Sequence, residues 1–257
     1  MSKLNQPSLV VALASAALLT SNPAVAQEKD GWSGEASFSA GHTTGNTDTT
    51  DVGLGIDVAR EQGLWTYEFV ADGEYGEQDG IESRNRYFLS GDVDRLLNEK
   101  LFAFGRTSYE VDQFTGFDSR SFVGGGLGYH IFDGEQIKWT VRGGPGVKID
   151  EVKRTVTTDS LGAPLIIPAE TESSFGAVAR SAFGYKFNDN VKLTNETDVL
   201  YGQASTQIEN MVALTASVST SISARVSYNV RYDTNPADGF KDTDTALKVA
   251  LVYGFGQ

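Results

Sequence analysis

Histidine and its neighbours are the first place in this sequence where residue types and spacing could support catalysis. The chain has two histidines, His42 and His130, and His42 is followed by Thr44 and Asn46, a loose spacing for a base, a nucleophile and an orienting group. A catalytic triad needs these groups within hydrogen-bond reach, and threonine is a poor substitute for a serine nucleophile. We therefore interpret Thr44-Gly45-Asn46 as a turn. We expect His130 to be solvated or interfacial. The sequence thus predicts no catalytic residue, and we do not expect an enzyme.

Carboxylates supply weak candidates for a metal site. The stretch Asp233–Gly239 resembles part of a calcium loop but lacks the terminal glutamate of an EF-hand. Asp112 and Asp118 are a second acidic pair, and ordinary acidic surface loops account for both groups better. No helix follows Gly124-Gly125-Gly126, so this run is not a phosphate-binding loop. The sequence therefore predicts no metal site and no cofactor.

A larger set of charged residues follows a two-residue period, in which one face of a β-strand is apolar and the other is mixed. The run Leu247–Phe255 shows this period near the C-terminus, and similar runs recur back to Trp32. A charged side chain on a lipid-facing strand position would cost about 2–4 kcal/mol at mid-membrane. We therefore assign the charged positions to the inside of a barrel. The candidate lumen-lining charges are Glu68, Asp72, Glu74, Arg86, Arg106, Arg142, Arg180, Glu196, Asp198, Arg225 and Arg231.

These mixed charges allow two functions. They could line a narrow, selective pore for small charged solutes, or they could neutralise one another as ion pairs that plug the barrel. About twelve strands leave little interior, because small barrels are filled by side chains and wide aqueous channels belong to about 16–18 strands. We favour a plugged or very narrow lumen and keep a porin-like diffusion channel as the alternative.

The fold that must position these residues is a single antiparallel transmembrane β-barrel of about twelve strands, of the outer-membrane type. The connections after even-numbered strands are short and most of those after odd-numbered strands are long, as expected for periplasmic turns and outer loops. Backbone polar groups in lipid must all be paired, so the sheet must close. The fifth strand places Arg106 and Ser108 on the face of Phe102 and Phe104, which requires a bulge or a packed interior.

The long connection between the seventh and eighth strands interrupts the alternation. It runs over residues 149–172 and contains Pro164, Pro168 and the apolar run Leu165-Ile166-Ile167. We expect it to lie outside the barrel on the extracellular side.

The N-terminus carries the signature of an exported protein. Lys3 precedes an apolar stretch from Leu9 to Leu19, and Ala24-Val25-Ala26 is an A-x-A site, so we expect a signal peptide over residues 1–26 and cleavage after Ala26. An uncleaved anchor is the alternative, but the stretch is short for a membrane-spanning helix. The barrel domain then occupies residues 27–257, in the outer membrane of a Gram-negative bacterium.

The composition narrows the remaining classes. A net charge of −13 argues against nucleic acid as a partner, and the absence of cysteine excludes disulfides and thiolate chemistry. A mean hydropathy of −0.25 argues against a helical membrane protein but suits a barrel whose loops and interior are polar. The expected partners are outer-membrane lipid and the barrel assembly machinery, with small charged solutes as an alternative. A barrel hydrolase and a soluble periplasmic β-sandwich are weaker interpretations.

Several short motifs carry a resemblance to a known family. They are Gly31-Trp32-Ser33-Gly34-Glu35, Thr44-Gly45-Asn46-Thr47-Asp48, Arg86-Tyr87, Phe104-Gly105-Arg106, Ser108-Tyr109-Glu110 and Gly126-Leu127-Gly128-Tyr129. With these motifs the chain resembles the salt-induced outer membrane proteins, also called domain of unknown function 481, over most of Gly31 to Phe255. The resemblance implies an outer-membrane barrel and a link to salt stress. It implies no substrate, reaction or site residue.

Overall fold

The computed structural model describes residues 30–43, 49–115, 117–158, 164–203, 205–236 and 241–256. The expected signal peptide and its cleavage point after Ala26 lie outside the described residues, and so does the turn Thr44–Asp48. The described part of the chain contains no helix that is long and apolar enough to cross a membrane.

Twelve antiparallel strands close into one barrel, which confirms the predicted fold class. Around the ring the order is β1, β14, β13, β12, β11, β10, β7, β6, β5, β4, β3, β2. Two further strands, β8 and β9, pair only with each other and form a separate ribbon. The strands are β1 (Asp30–Thr43), β2 (Thr49–Gln62), β3 (Trp65–Gln78), β4 (Ile81–Leu96), β5 (Leu101–Asp112), β6 (Phe117–Asp133), β7 (Ile137–Val152), β8 (Thr155–Thr158), β9 (Pro164–Ile167), β10 (Glu170–Asn188), β11 (Val191–Gly202), β12 (Gln207–Ser217), β13 (Ile222–Asp233) and β14 (Thr243–Phe255).

The connection between β7 and β10 is shorter than the sequence indicated. The two strands stay in register from Tyr185 and Ile137 up to Glu170 and Val152, so residues 149–152 and 170–172 extend the barrel wall instead of joining the loop. The period-two pattern fails there because acidic side chains occupy both faces, with Asp150 and Glu151 next to each other on β7 and Glu170 and Glu172 on β10. The β8–β9 ribbon continues from this end of the barrel.

One tight turn shows how local sequence fixes the register. Asp79 and Gly80 join β3 to β4 with φ angles of 51° and 74°. Two central residues with positive φ define a type I′ hairpin turn, whose twist matches that of the flanking strands and for which Asp-Gly is a preferred pair. This turn sets the pairing of Gln78 with Ile81.

The outside of the barrel is apolar, as the alternation predicted. Leu54, Val123, Phe175, Leu247 and Leu251 each expose more than half of their surface although they lie within strands. Such a continuous exposed band is what a lipid-facing wall requires. Trp32, Trp65, Trp139 and Tyr253 lie toward the short-turn end of the wall, where an aromatic girdle meets the interface.

The interior is packed against one wall, formed by β5, β6 and β7. Phe102, Phe104, Phe122 and Val178 form the buried apolar cluster. The ring of Phe102 occupies the space where a side chain on Gly128 would stand. β5 pairs with β4 and β6 without any register shift, so the shared face of Phe102 and Arg106 reflects a packed interior and no bulge.

The barrel closes between β1 and β14 through its shortest ladder. The register runs from Gly34 and Phe255 to Ser39 and Ala250, six residue pairs. By comparison, β1 pairs with β2 along its entire length, from Asp30 to Thr43.

Candidate functional site: the barrel interior

A cavity of about 490 Å³ occupies the interior, and residues of every barrel strand except β7 line it. The strands β1 and β2 leave room for it because Ser37, Ser39, Gly53 and Gly55 present small or absent side chains. Phe122 and Val178 of the apolar cluster also border the cavity, so the aromatic packing and the polar space share one interior.

Arg86 is the central cation of the outer half of this interior. Its side chain is 5% exposed, and its guanidinium contacts three carboxylates. The Nε atom donates to Glu110 at 2.5 Å, the Nη2 atom donates to Glu209 at 3.3 Å, and Glu74 lies 3.7 Å away. Several hydrogen-bonded partners are what a buried guanidinium needs to offset its desolvation.

Three of the ion pairs cross the lumen. Arg86 on β4 and Glu209 on β12 have five strands between them in either direction round the ring, so their strands face each other. A second pair joins Arg120 on β6 to Asp233 on β13 at 2.8 Å. A third joins Arg106 on β5 to Asp198 on β11 at 3.1 Å, with Arg180 beside it. Side chains from opposite walls therefore meet at several places.

Arg142 anchors a separate pair in the packed half. Its guanidinium lies 2.8 Å from Asp92 and 3.6 Å from Asp94, and the side chains of Arg142 and Asp92 are almost fully buried. The same guanidinium lies 5.2 Å from the centroid of the Phe104 ring, which adds a cation–π contact. This arrangement holds charge inside the aromatic cluster.

Three cations reach across the β1–β14 junction. Arg225 on β13 makes a two-pronged contact with Glu35 on β1, at 2.6 and 2.7 Å. Lys248 on β14 and Arg231 on β13 both contact Glu74 on β3, at 2.9 and 3.2 Å. These contacts bridge the part of the wall that has the fewest backbone hydrogen bonds.

Three inward carboxylates have no ion pair among the described residues. They are Asp57 on β2, with Glu68 and Asp72 on β3. Asp57 lies directly beside Glu35 in the register of β1 and β2, and Glu68 lies directly beside Asp92 in that of β3 and β4. Like charges in such positions repel, so this wall of the cavity favours positive charge.

A buried lysine beside a serine needs separate consideration, because a serine–lysine pair can carry nucleophilic catalysis. Lys148 Nζ lies 2.9 Å from both Ser205 Oγ and Asp150 Oδ2. Lys148 and Ser205 are buried, at 1% and 4% exposure, and the ammonium of Lys148 is held by the Asp150 carboxylate. The group ties β7 to the connection before β12 and gives no access to a substrate.

The structure places the sequence-predicted site residues inside the barrel, in several groups. Nine of them line the cavity: Asp72, Glu74, Arg86, Arg106, Arg180, Glu196, Asp198, Arg225 and Arg231. Arg142 lies apart in the aromatic half, and Glu68 lies beside Asp92.

Several interior charges did not stand out in the sequence although they complete these pairs. They are Asp94, Glu110, Lys148, Asp150, Glu209 and Lys248. Each occupies one of the alternate strand positions whose side chains point into the barrel. A charged residue at such a position is therefore the signal that would have identified them.

The catalytic and metal candidates have other environments. The side chain of His42 and the residues Thr44, Asn46 and Asp238 lie outside the described residues. His130, expected to be solvated or interfacial, is half-buried: its ring lies 4.9 Å from that of Phe102, and it hydrogen-bonds Thr140. Among the residues that the structure describes, no group of three or more histidine or acidic side chains is arranged to hold a metal ion.

An apolar outer wall, a charged interior and a closed twelve-stranded sheet define an outer-membrane β-barrel protein, and the protein resides in the outer membrane. The family comparison agrees with the resemblance found in the sequence. Residues 36–255 match the model of the family described as protein of unknown function, DUF481, and the chain belongs to that family.

Solved structures share the fold at low sequence identity. The translocator domain of autotransporter NalP from Neisseria meningitidis is 12% identical, with a TM-score of 0.51 over 88% of this chain and 89% of that one. The COG4313 outer membrane channel from Pseudomonas putida F1 is 13% identical, with a TM-score of 0.48 over 92% and 100%. The NanC porin is 10% identical, with a TM-score of 0.48 over 86% and 98%. No curated protein matches the chain.

Proposed function

We propose that this outer-membrane barrel closes its own lumen with ion pairs and serves the cell envelope without acting as a bulk diffusion pore or as an enzyme. The observation that carries the proposal is the contact of Arg86 with Glu209, which joins facing walls of the barrel at 3.3 Å. A solute that crosses the lumen at this level has to separate the two side chains.

The energetics favour the closed arrangement. Arg86 and Arg120 are each about nine-tenths buried, so a guanidinium that left its carboxylates would remain desolvated without a partner. That cost favours the state in which the pairs cross the lumen. The narrow interior of a twelve-stranded barrel allows the pairs to form, because long side chains from opposite walls can touch.

The role in the envelope follows from the resemblance to salt-induced outer membrane proteins. We propose a stress-linked structural role, with outer-membrane lipid and the barrel assembly machinery as partners. A strain that lacks the gene should then grow normally at low salt and poorly at high salt, and the wild-type gene should restore growth. Equal growth of the deletion strain at both salt concentrations would contradict the stress link.

Liposome swelling tests the closed lumen directly. Proteoliposomes that contain the refolded barrel should swell no faster than empty liposomes in isotonic solutions of small sugars and amino acids. The gel shift that accompanies heat unfolding shows that the barrel is folded in the same samples. Rapid swelling of liposomes that contain folded protein would overturn the proposal.

A second candidate is a narrow channel for small charged solutes, and the cavity favours it. The cavity of about 490 Å³ is lined by Asp57 and Asp72, two carboxylates that have no ion pair among the residues that the structure describes. In this case the protein would pass small cations in preference to anions. The reversal potential across a bilayer with unequal KCl concentrations tests the preference. Zero reversal potential through an open channel would reject cation selectivity.

A further inference from the structure

The wall of the barrel has a gap in its backbone pairing between β1 and β14. Beyond Ser39 and Ala250, β1 continues to Thr43 and β14 begins as early as Thr243. In the described ranges no register pair joins Ala40–Thr43 to β14. We call the space between Ala40–Thr43 and Ala246–Val249 the outer notch.

The outer notch lies within the lipid-facing band. Leu247 and Val249 are 72% and 57% exposed on the outer face of β14, and Phe38 is 49% exposed on β1 just below. Apolar side chains at this level indicate contact with acyl chains. Four residues at about 3.3 Å each give the notch a length of roughly 13 Å along the strands. This length is similar to that of a lipid head group together with the upper part of its acyl chains.

Backbone groups that border the outer notch need hydrogen-bond partners. The outer face of β1 and β14 offers them only hydrocarbon, and an unsatisfied peptide group in hydrocarbon costs several kcal/mol. The occupant must therefore carry polar groups at the level of the notch and apolar groups outside it. The lipids of the surrounding leaflet have this amphiphilic structure.

The inner side of the outer notch faces the cavity. Ser39, Gly53, Lys248 and Ala250 line both the cavity and the lower border of the notch. A Cβ atom on Gly41 would meet nothing within 4 Å. The notch therefore has space for a polar group, and the hydroxyl group of Ser39 borders that space.

A single lysine spans the outer notch on the lumen side. Lys248 on β14 reaches Glu74 on β3 at 2.9 Å, and β1 and β2 lie between these strands. Glu74 is beside Gly53, which is beside Ser39, so only small side chains lie under the ion pair. The pair connects the two sides of the wall where the ladder is missing.

We propose that the outer notch is a lateral portal through which the polar head of an outer-leaflet lipid enters the cavity, and that the Lys248–Glu74 ion pair latches it. The proposal concerns the wall of the barrel and not passage along its axis. It therefore stands whether the lumen is closed or conducting.

Paired cysteines test the gap, and the chain has no native cysteine to interfere. Phe38 pairs with Leu251 in the register, and the next outward positions are Ala40 and Val249. A disulfide requires Cα atoms within about 7 Å. The control pair Phe38→Cys/Leu251→Cys should cross-link on mild oxidation in the membrane, whereas Ala40→Cys/Val249→Cys should stay reduced. Equal cross-linking of both pairs would show a paired wall and overturn the portal.

Fluorescence quenching tests the occupant. A bimane label on Ser39→Cys should lose fluorescence in proteoliposomes made with phospholipids that carry bromine on the head group, and Lys248→Met should increase the loss. The same label on Ser108→Cys, which lines the cavity from β5, should keep its fluorescence. Equal fluorescence of the two labelled variants in brominated and plain lipid, with quenching by aqueous iodide alone, would show that water and not lipid fills the notch and would reject the proposal.

Discussion

The guanidinium of Arg86 and the carboxylate of Glu209 lie 3.3 Å apart although their strands, β4 and β12, face each other across the barrel. Arg86 also contacts Glu74 and Glu110, and Glu209 also contacts Arg231 at 2.9 Å. The outer half of the lumen therefore contains one connected network of charges. Its members come from β3, β4, β5, β12, β13 and β14, so the network acts on the barrel as a whole.

The first prediction concerns Arg86→Met. The change keeps most of the side-chain volume but leaves the buried Glu110 without its guanidinium, so we expect the free energy of unfolding to fall by about 3–5 kcal/mol. Urea unfolding in detergent micelles, followed by tryptophan fluorescence, measures it. Arg95→Met is the control, because Arg95 lies at the short-turn end over the ring of Trp65. Equal unfolding midpoints for wild type and Arg86→Met would contradict a stabilising network.

The second prediction is a double-mutant cycle on Arg142 and Asp92. Arg142→Ala leaves a buried carboxylate unpaired and should lower the melting temperature strongly, with little effect on membrane insertion. Asp92→Asn in the same chain removes that charge and should restore part of the loss, since the coupling of neighbouring groups is not additive. The melting temperature of the gel-shift transition is the readout. Additive losses in the double variant would argue against a direct pair.

A lipid-facing control accompanies this cycle. Val226 and Val230 lie on the outward parity of β13, so Val226→Ala/Val230→Ala should weaken the contact with lipid and leave the interior charges paired. Its effect on melting should therefore not change when Arg142→Ala is added.

The third prediction concerns the aromatic half of the interior. Gly128→Ala places a methyl group where the ring of Phe102 lies, and overpacking of this kind costs about 1–3 kcal/mol. Phe102→Leu should be destabilising alone but should relieve the strain of Gly128→Ala in the double variant. Unfolding midpoints of the three variants check this. Failure of the second change to relieve the first would place Phe102 away from Gly128.

Most of the barrel could be predicted from the sequence because one constraint dominates it. Lipid on one side of every strand enforces the two-residue period, and a one-residue slip in register would move charge into the membrane. That constraint identifies Arg142 and Asp198 as inward residues from the alternation alone. It fails above the membrane, where Asp150 and Glu170 extend their strands without an apolar face.

The partners of the interior charges could not be predicted from parity. The alternation of side chains along each strand places Arg86 and Glu209 inside the barrel. Their contact depends on the order of the strands in the ring, which brings β12 opposite β4. The packing of Phe102 against Gly128, and of Phe122 against Gly124 and Gly146, likewise depends on which strands the closed barrel brings together. Both are properties of the closed barrel and not of any single strand.

The fourth prediction concerns topology. The strands β8 and β9 lie at the end of the barrel that carries the longer connections, so an epitope tag inserted near Gly162 should be accessible to antibody on intact cells. Whole-cell immunofluorescence measures this, and a tag between Asn188 and Val191, in a short turn, should be reached only in permeabilised cells. The reverse pattern would invert the assignment of the two ends.

The measurement that tests the closed lumen most directly is single-channel conductance in planar bilayers, for wild type and for Arg86→Ala/Glu209→Ala. We expect no conductance steps from folded wild-type protein, because the cross-lumen pairs block the path. We expect small steps from the double variant, in which β4 and β12 no longer meet while the pairs Arg106–Asp198 and Arg120–Asp233 remain. Stable open steps from the wild-type barrel, unchanged in the double variant, would contradict the account.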